Sequence, residues 1–386
     1  MAHSDYHYTK LRWLFTIAGL FLYVVDIWTD IALALKYFHR KEVDWAVLTL
    51  VFVLTGQLVT QTFSFAWYCD DMNDVLINPS GIKTISGMSK CKLTVIHFLG
   101  MGIFTRYYHL LKKGFKAVWT TTNSYTVEDK RNVHHSLFCL ATDLSMARLF
   151  EAFLESVPQL LLQLYIVLGH QECSIVQYLS MTFSFFNIAW ALVDYRRCLR
   201  RSLPHIREMP SGLPTVIYLV YKLCTITSHM LSYSLLLILS TYTTIALTII
   251  WLLGTTWTRL LKTNFCSSKH LELLYQAVAG VILTFTFFNV KGQDTKVAMI
   301  IYYSFHALIN IVAPLLLTVL KSELQTVTFL LTVTGLILGA SVLGLVSLVL
   351  YYLFLHPKGT WREADEVDGL AMETGTTRRL RNFLLP

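Results

Sequence analysis

The sequence is poor in charge. Only 15% of its 386 residues are Asp, Glu, Lys or Arg, against 54% hydrophobic, and a single soluble core cannot hide that much apolar surface. Cysteine is scarce and unpatterned. Cys69, Cys91, Cys139, Cys173, Cys198, Cys224 and Cys266 show no short paired spacing, which indicates neither a disulfide framework nor a zinc site. There is no glycosylation sequon, because Asn78-Pro79-Ser80 is spoiled by its proline. A nucleophile elbow, a phosphate-cradling glycine loop and an H-E-x-x-H metal spacing are also missing. No catalytic residue, cofactor or metal is therefore expected, and an enzyme is the weakest reading. The net charge of +8 does not point to nucleic acid, because the Lys and Arg residues sit between apolar runs, where membrane topology places them.

What the sequence has in abundance is apolar runs near bilayer length. At about 1.5 Å rise per residue against a hydrocarbon core of about 30 Å, the long candidates are 12–36, 44–68, 140–169, 172–193, 214–240, 242–262, 273–290, 298–320 and 327–356. The first is too long for a cleaved signal peptide and reads as a retained anchor. A further segment, 93–111, is interrupted by Gly100, Gly102 and Arg106 and reads as re-entrant. Lys and Arg cluster in 83–131, 196–207 and 358–381. The positive-inside rule puts all three on the cytoplasmic side, so one candidate must fail to cross. The short run 273–290, with Gly280 inside it, is the best to demote.

The expected fold is an all-α polytopic membrane protein with eight transmembrane helices and two re-entrant segments, arranged as two pseudo-repeats. Residues 1–210 form the first (spans 12–36, 44–68, 140–169 and 172–193, re-entrant 93–111). Residues 211–356 form the second (spans 214–240, 242–262, 298–320 and 327–356, re-entrant 273–290), and 357–386 form a cytoplasmic tail.

Ionisable residues lie deep in the spans of the first half, where they are costly unless they face a partner or a wet cavity. Asp26 and Asp30 share a helix face. Asp143, Glu151 and Glu155 lie on one four-residue ridge with Arg148 beside it. Pro158 follows and predicts a kink or local opening beside Glu155. Asp194 and Arg197 end the fourth span, near the interface, where anchoring is the expected role. In the second half Lys222 is close enough to a membrane face to snorkel, His229 reads as a hydrogen-bonded core residue, and little other buried charge is expected. Pairing that fixes helix register would explain any single acid as well as a lipid or ion pathway would; a ladder on several helices favours the pathway.

In the polar tail, Asp365-Glu366-Val367-Asp368-Gly369 spells the preferred recognition string of executioner caspases, with cleavage after Asp368. Beyond it Arg378, Arg379 and Arg381 alternate with Leu380, Phe383 and Leu384, so a short helix there would have an apolar docking edge and a basic flank.

The stretches "DLSMARLFEAFLESVPQLLLQLYIVL", "WALVDYRRCLRRSLP" and "FTFFNVKGQDTK", together with the tail site, resemble the XK-related family in its caspase-activated branch. The similarity runs over essentially the whole chain. It implies a plasma-membrane phospholipid scramblase with both termini cytoplasmic, silent until caspase removes the tail and then exposing phosphatidylserine. It also implies eight spans with re-entrant segments. Carried over by matching motif, Asp26, Asp30, Asp143, Arg148, Glu151, Glu155 and Asp194 are the charged positions the family uses for lipid headgroups. The implied partners are phospholipids including phosphatidylserine, an executioner caspase and, as for some relatives, a single-span immunoglobulin-type chaperone. One departure is His229, where another member has an arginine. From the residues alone two other classes stay open: a channel or secondary transporter for small ions or amino acids, and a membrane scaffold regulated by caspase.

Overall fold

The computed structural model describes residues 8–73, 84–85, 88–119, 127–170, 175–202, 212–263, 265–290, 296–320 and 327–355. The caspase string 365–369 and the tail residues Leu380, Phe383 and Leu384 lie outside them. Apart from two paired two-residue strands, β1 (Thr84–Ile85) and β2 (Met88–Ser89), the described chain is helical. Its first helices are α1 (Lys10–His39), α2 (Val43–Asn73), α3 (Lys90–Phe98), α4 (Gly102–Trp119) and α5 (Val127–Glu151). A π turn over Ala152–Ser156 joins α5 to α6 (Val157–His170), and α7 (Ile175–Ser202) completes the first half. Then come α8 (Leu213–Leu239), α9 (Thr243–Leu260), α10 (Lys269–Phe285), α11 (Lys296–Leu320) and α12 (Val327–Leu350), the last ending in a second π turn, Tyr351–Leu355.

Polarity is inverted relative to a water-soluble bundle. Phe21, Trp28, Leu58, Leu253, Val319 and Phe354 point outward, whereas Asp26, Asp30, Gln61, Arg106, Glu151 and Lys222 are buried. Helices surrounded by lipid adopt this arrangement, since hydrocarbon solvates apolar side chains and leaves polar ones to find partners inside. Among the described residues six helical stretches are long and apolar enough to cross a membrane: Lys10–His39, Val43–Met72, Ser136–Gly169, Leu213–Leu239, Lys296–Leu320 and Thr328–Leu355. The chain is thus an all-α, multi-pass membrane protein. The expected spans 172–193 and 242–262 coincide with α7 and α9, which fall outside these six. α7 is diluted by Gln177, Ser180, Ser184 and Asn187, and α9 has 18 residues, of which six are threonine.

α8 is the axis of the second half, packed against α12, α11, α6 and α7. α9 and α10 lie against each other so closely that a Cβ on Gly280 would sit 2.9 Å from the amide nitrogen of Thr255 and 3.0 Å from the carbonyl oxygen of Trp251. The expected re-entrant segment 93–111 is two helices rather than one interrupted run. α3 stops at Phe98, Gly100 takes a left-handed backbone (φ 74°) that glycine adopts without strain, and α4 restarts at Gly102 and continues to Trp119.

Candidate functional site, a buried polar seam

The seam is built on α1, whose Asp26 and Asp30 both face inward. Asp26 Oδ2 accepts from Ser156 Oγ at 2.8 Å and from Asn187 Nδ2 at 2.9 Å. Asp30 Oδ1 accepts from Gln159 Nε2 at 2.6 Å. Arg148 forms an ion pair with Glu151, donates to Asn187 Oδ1 at 3.0 Å and lies over the ring of Tyr23, 4.4 Å from its centroid. Glu155 adds a fourth carboxyl, within electrostatic reach of Asp26, Asp30 and Glu151. One oxygen of Asp30 and one of Glu155 are buried and take no donor among the described residues. None of these five side chains belongs to a residue more than 6% exposed.

Local backbone brings these acids together. Proline at 158 has no N–H, and its ring collides with the carbonyl of the residue four places earlier in a regular helix. The helix widens just ahead of it: Val157 N–H bonds back five residues to the Ala152 carbonyl. The kink expected beside Glu155 is therefore a π turn, the kind of local widening that recurs at functional sites. Its extra residue turns Glu155 and Ser156 toward α1.

Asp143, expected on the same ridge, is engaged elsewhere. It pairs with Arg106 of α4 at 3.3 Å. Arg106 is 2% exposed; it also donates to Ser64 Oγ at 2.8 Å and Ser64 O at 2.9 Å, and lies over the ring of Tyr68 at 4.3 Å. Arg106 does not interrupt the segment, as the sequence suggested, but fastens it. α2 links the two clusters through residues spaced three and four apart. Gln57 Nε2 donates to Glu151 Oε1 at 3.4 Å, and Gln61 Nε2 donates to Gln57 Oε1 at 3.3 Å. Gln61 also bridges the break between α3 and α4, donating to the Gly100 carbonyl at 2.9 Å and accepting from Gly102 N–H at 3.0 Å. Sequence reading missed Arg106, Asn187 and these α2 residues. The signal was present in "TGQLVTQTFS", a helical stripe of Gln57, Gln61 and Ser64 inside an apolar run.

Both ends of the seam are polar as well. Toward the C-terminal end of α1, Lys36 Nζ donates to Gln177 Oε1 at 3.0 Å, and Gln163 of α6 donates to Ser180 Oγ at 3.3 Å. Toward its N-terminal end a cleft is lined by Arg12, Thr16, Tyr107, Asp194, Arg197 and Cys198 among others. Asp194 sits within electrostatic reach of Arg197 and Arg12, and accepts from Cys198 Sγ at 3.9 Å. Arg197 does not snorkel to an interface; it is 4% exposed and lies over the ring of Phe15. From Arg12 to Lys36 the seam covers about 36 Å of helix, more than the hydrocarbon thickness.

The second half departs from expectation at Lys222, which does not snorkel. It is 2% exposed and donates to Thr286 Oγ1 at 3.0 Å and to the Phe287 carbonyl at 2.9 Å. His229 Nδ1 bonds the Phe285 carbonyl at 2.9 Å, its ring tilted against that of His306 with centroids 4.1 Å apart, and Tyr233 donates to the Thr284 carbonyl at 3.0 Å. These residues close the C-terminal end of α10, whose last carbonyls have no partners within the helix. Among the described residues of the second half Lys222 is the one buried Lys, Arg, Asp or Glu, in keeping with the little buried charge expected there, and His229 is the hydrogen-bonded core residue the sequence suggested.

A family model described as XK-related protein matches residues 14–357, nearly the entire described structure. The chain belongs to the XK-related family. It is 60% identical over 379 residues to XK-related protein 9 of Tetraodon nigroviridis, covering 98% of this chain and 99% of that protein. It is 30% identical over 369 residues to XK-related protein 8 of the same fish, and 30% identical over 355 residues to XK-related protein 8 of Pan troglodytes. These alignments cover 95% and 92% of this chain, and 88% and 86% of the relatives. All seven seam charges assigned from sequence lie inside the family match, and the caspase string lies beyond it.

Proposed function

We propose that this XK-related chain is a phospholipid scramblase of the plasma membrane, ATP-independent and bidirectional, held inactive until an executioner caspase cuts after Asp368. The observation that carries the reading is the seam: buried acids, arginines and amides follow α1 for more than the thickness of a bilayer's apolar core. Moving a headgroup across hydrocarbon costs most of its hydration, and a polar lane lowers that cost while the acyl chains stay in lipid. In this arrangement the lane is closed, with Glu151 and Glu155 each 1% exposed. Transport therefore requires α1, α2 and the π turn to part. Eight crossings, with α7 and α9 as spans and α10 as a re-entrant segment, would leave both termini cytoplasmic. The chain needs no catalytic centre for this, and the partners are the phospholipids themselves, phosphatidylserine included, the caspase, and an immunoglobulin-type chaperone of the kind some relatives use.

The test is lipid flipping by the cut protein in proteoliposomes, comparing wild type with Glu151→Gln combined with Glu155→Gln. The pair should slow flipping at least about tenfold, the loss of roughly 1.4 kcal/mol of barrier lowering, while the protein stays folded. Saturable uptake of an ion or amino acid without lipid mixing would replace this reading with that of a channel or carrier. Full activity after replacing the charges by apolar residues would leave the scaffold.

A further inference from the structure

Neighbouring residues near the end of α7 face different helices, as the turn of about 100° per residue allows. Arg197 lies over Phe15 of α1, whereas Arg196 lies over Tyr218 of α8, 5.8 Å from the ring centroid. The strongest electrostatic neighbours of Arg196 are Tyr352, Tyr218, Tyr351 and Tyr221. Arg196 is in turn the charge that acts on Lys222. None of these is a carboxylate. Arg106 and Arg148 differ, being paired with Asp143 and Glu151. Arg196 Nε is buried with no hydrogen-bond partner among the described residues, although the residue as a whole is only half-buried. Lys222 commits two of its three N–H groups to Thr286 and Phe287.

Among the described residues no carboxylate neighbours the buried Lys222 ammonium or the half-buried Arg196 guanidinium, and two cations brought together in this way are costly unless a counter-charge sits with them. The fork of a guanidinium and an ammonium, both set over the ring of Tyr218 at 5.8 Å, form a donor set that the oxygens of a phosphate group accept from. We propose that Arg196 and Lys222, walled by Tyr218 and Tyr221 of α8 and Tyr351 and Tyr352 at the end of α12, form a phosphate-binding site distinct from the acid-bearing seam. It lies where α7 ends, α8 begins and α12 ends. This assignment stands on its own geometry and does not depend on the transport reading. The phosphate has two sources, a lipid headgroup or the free anion, and basic pockets between membrane helices are known to take the former.

Thermal unfolding of the purified full-length protein in detergent tests the site, with dioctanoyl phosphatidic acid and inorganic phosphate as probes and sodium chloride at matched ionic strength as the control. Phosphatidic acid should raise the unfolding temperature of the wild type by at least about 2 °C, and Arg196→Gln should abolish the rise. A rise with phosphatidic acid alone assigns the site to a lipid headgroup; a rise with both probes assigns it to phosphate itself. Arg196→Lys keeps the charge and loses the fork, so its half-maximal phosphatidic acid concentration should move up about tenfold, which tests the site even if the glutamine variant does not fold. No rise with either probe beyond the chloride control would overturn the proposal. So would equal rises in wild type and Arg196→Gln, or an unchanged midpoint in Arg196→Lys.

Discussion

At the scale of the residue, Arg148 decides whether the seam holds. It is the guanidinium shared by Glu151 and Asn187 beside the carboxyls of Asp26 and Glu155. Removing one partner of a buried ion pair leaves the other charge uncompensated, which costs roughly 3–5 kcal/mol. Arg148→Gln should lower the unfolding temperature markedly, and Arg148→Gln combined with Glu151→Gln should recover most of the loss; a thermal melt of the two variants in detergent checks both. The acids were legible in the sequence because a carboxyl in an apolar run is conspicuous. Their neutral partners were not. Gln57, Gln61, Ser64 and Asn187 are unremarkable in a sequence, and become meaningful only when another helix brings a charge to them. Lys222 misled for a related reason. Its distance from a membrane face is readable, but the Thr286 hydroxyl and Phe287 carbonyl that draw it inward, just past α10, lie 64 and 65 residues away.

At the scale of the element, breaks in helices place the chemistry. Pro158 enforces the π turn that carries Glu155 and Ser156 to α1. Pro158→Ala restores the missing N–H and allows the turn to relax to regular helix, rotating Glu155 away. Lipid flipping by the cut protein should fall while the unfolding temperature holds or rises, and an unchanged flipping rate would contradict the role given to the turn. The α9–α10 contact offers a second element-level check. Gly280→Ala forces a Cβ against the backbone of Thr255 and Trp251, and overpacking of this kind costs roughly 1–3 kcal/mol. Gly335→Ala, on α12, meets no atom within 4 Å and should be neutral or mildly stabilising. Melting the two variants side by side separates a packing requirement from a general intolerance of alanine. Helix positions were legible from the apolar runs, and so was the break near Gly100. The division of the hairpin into α3 and α4 was not, because Arg106 reads as a helix breaker in lipid until Ser64 and Asp143 are seen to receive it.

At the scale of the whole molecule, the structure describes a bundle that is apolar outside, polar along one internal lane, and closed. Hydropathy conveyed the outside, and spacing of charges conveyed part of the lane. Closure could not be read from sequence, since it depends on how α1, α2 and the π turn meet. The polar tail supplies the proposed trigger, and its caspase string makes the trigger chemically addressable. The central claim is a lipid lane that proteolysis of the tail opens. The most direct test reconstitutes the intact chain and the chain cut after Asp368 into liposomes carrying a fluorescent phospholipid, and follows bleaching by an external reductant. In the intact protein the inner-leaflet label should stay protected, leaving about half the fluorescence, and in the cut protein bleaching should approach completion. Equal behaviour of the two folded forms, whether both scramble or neither does, would contradict the account.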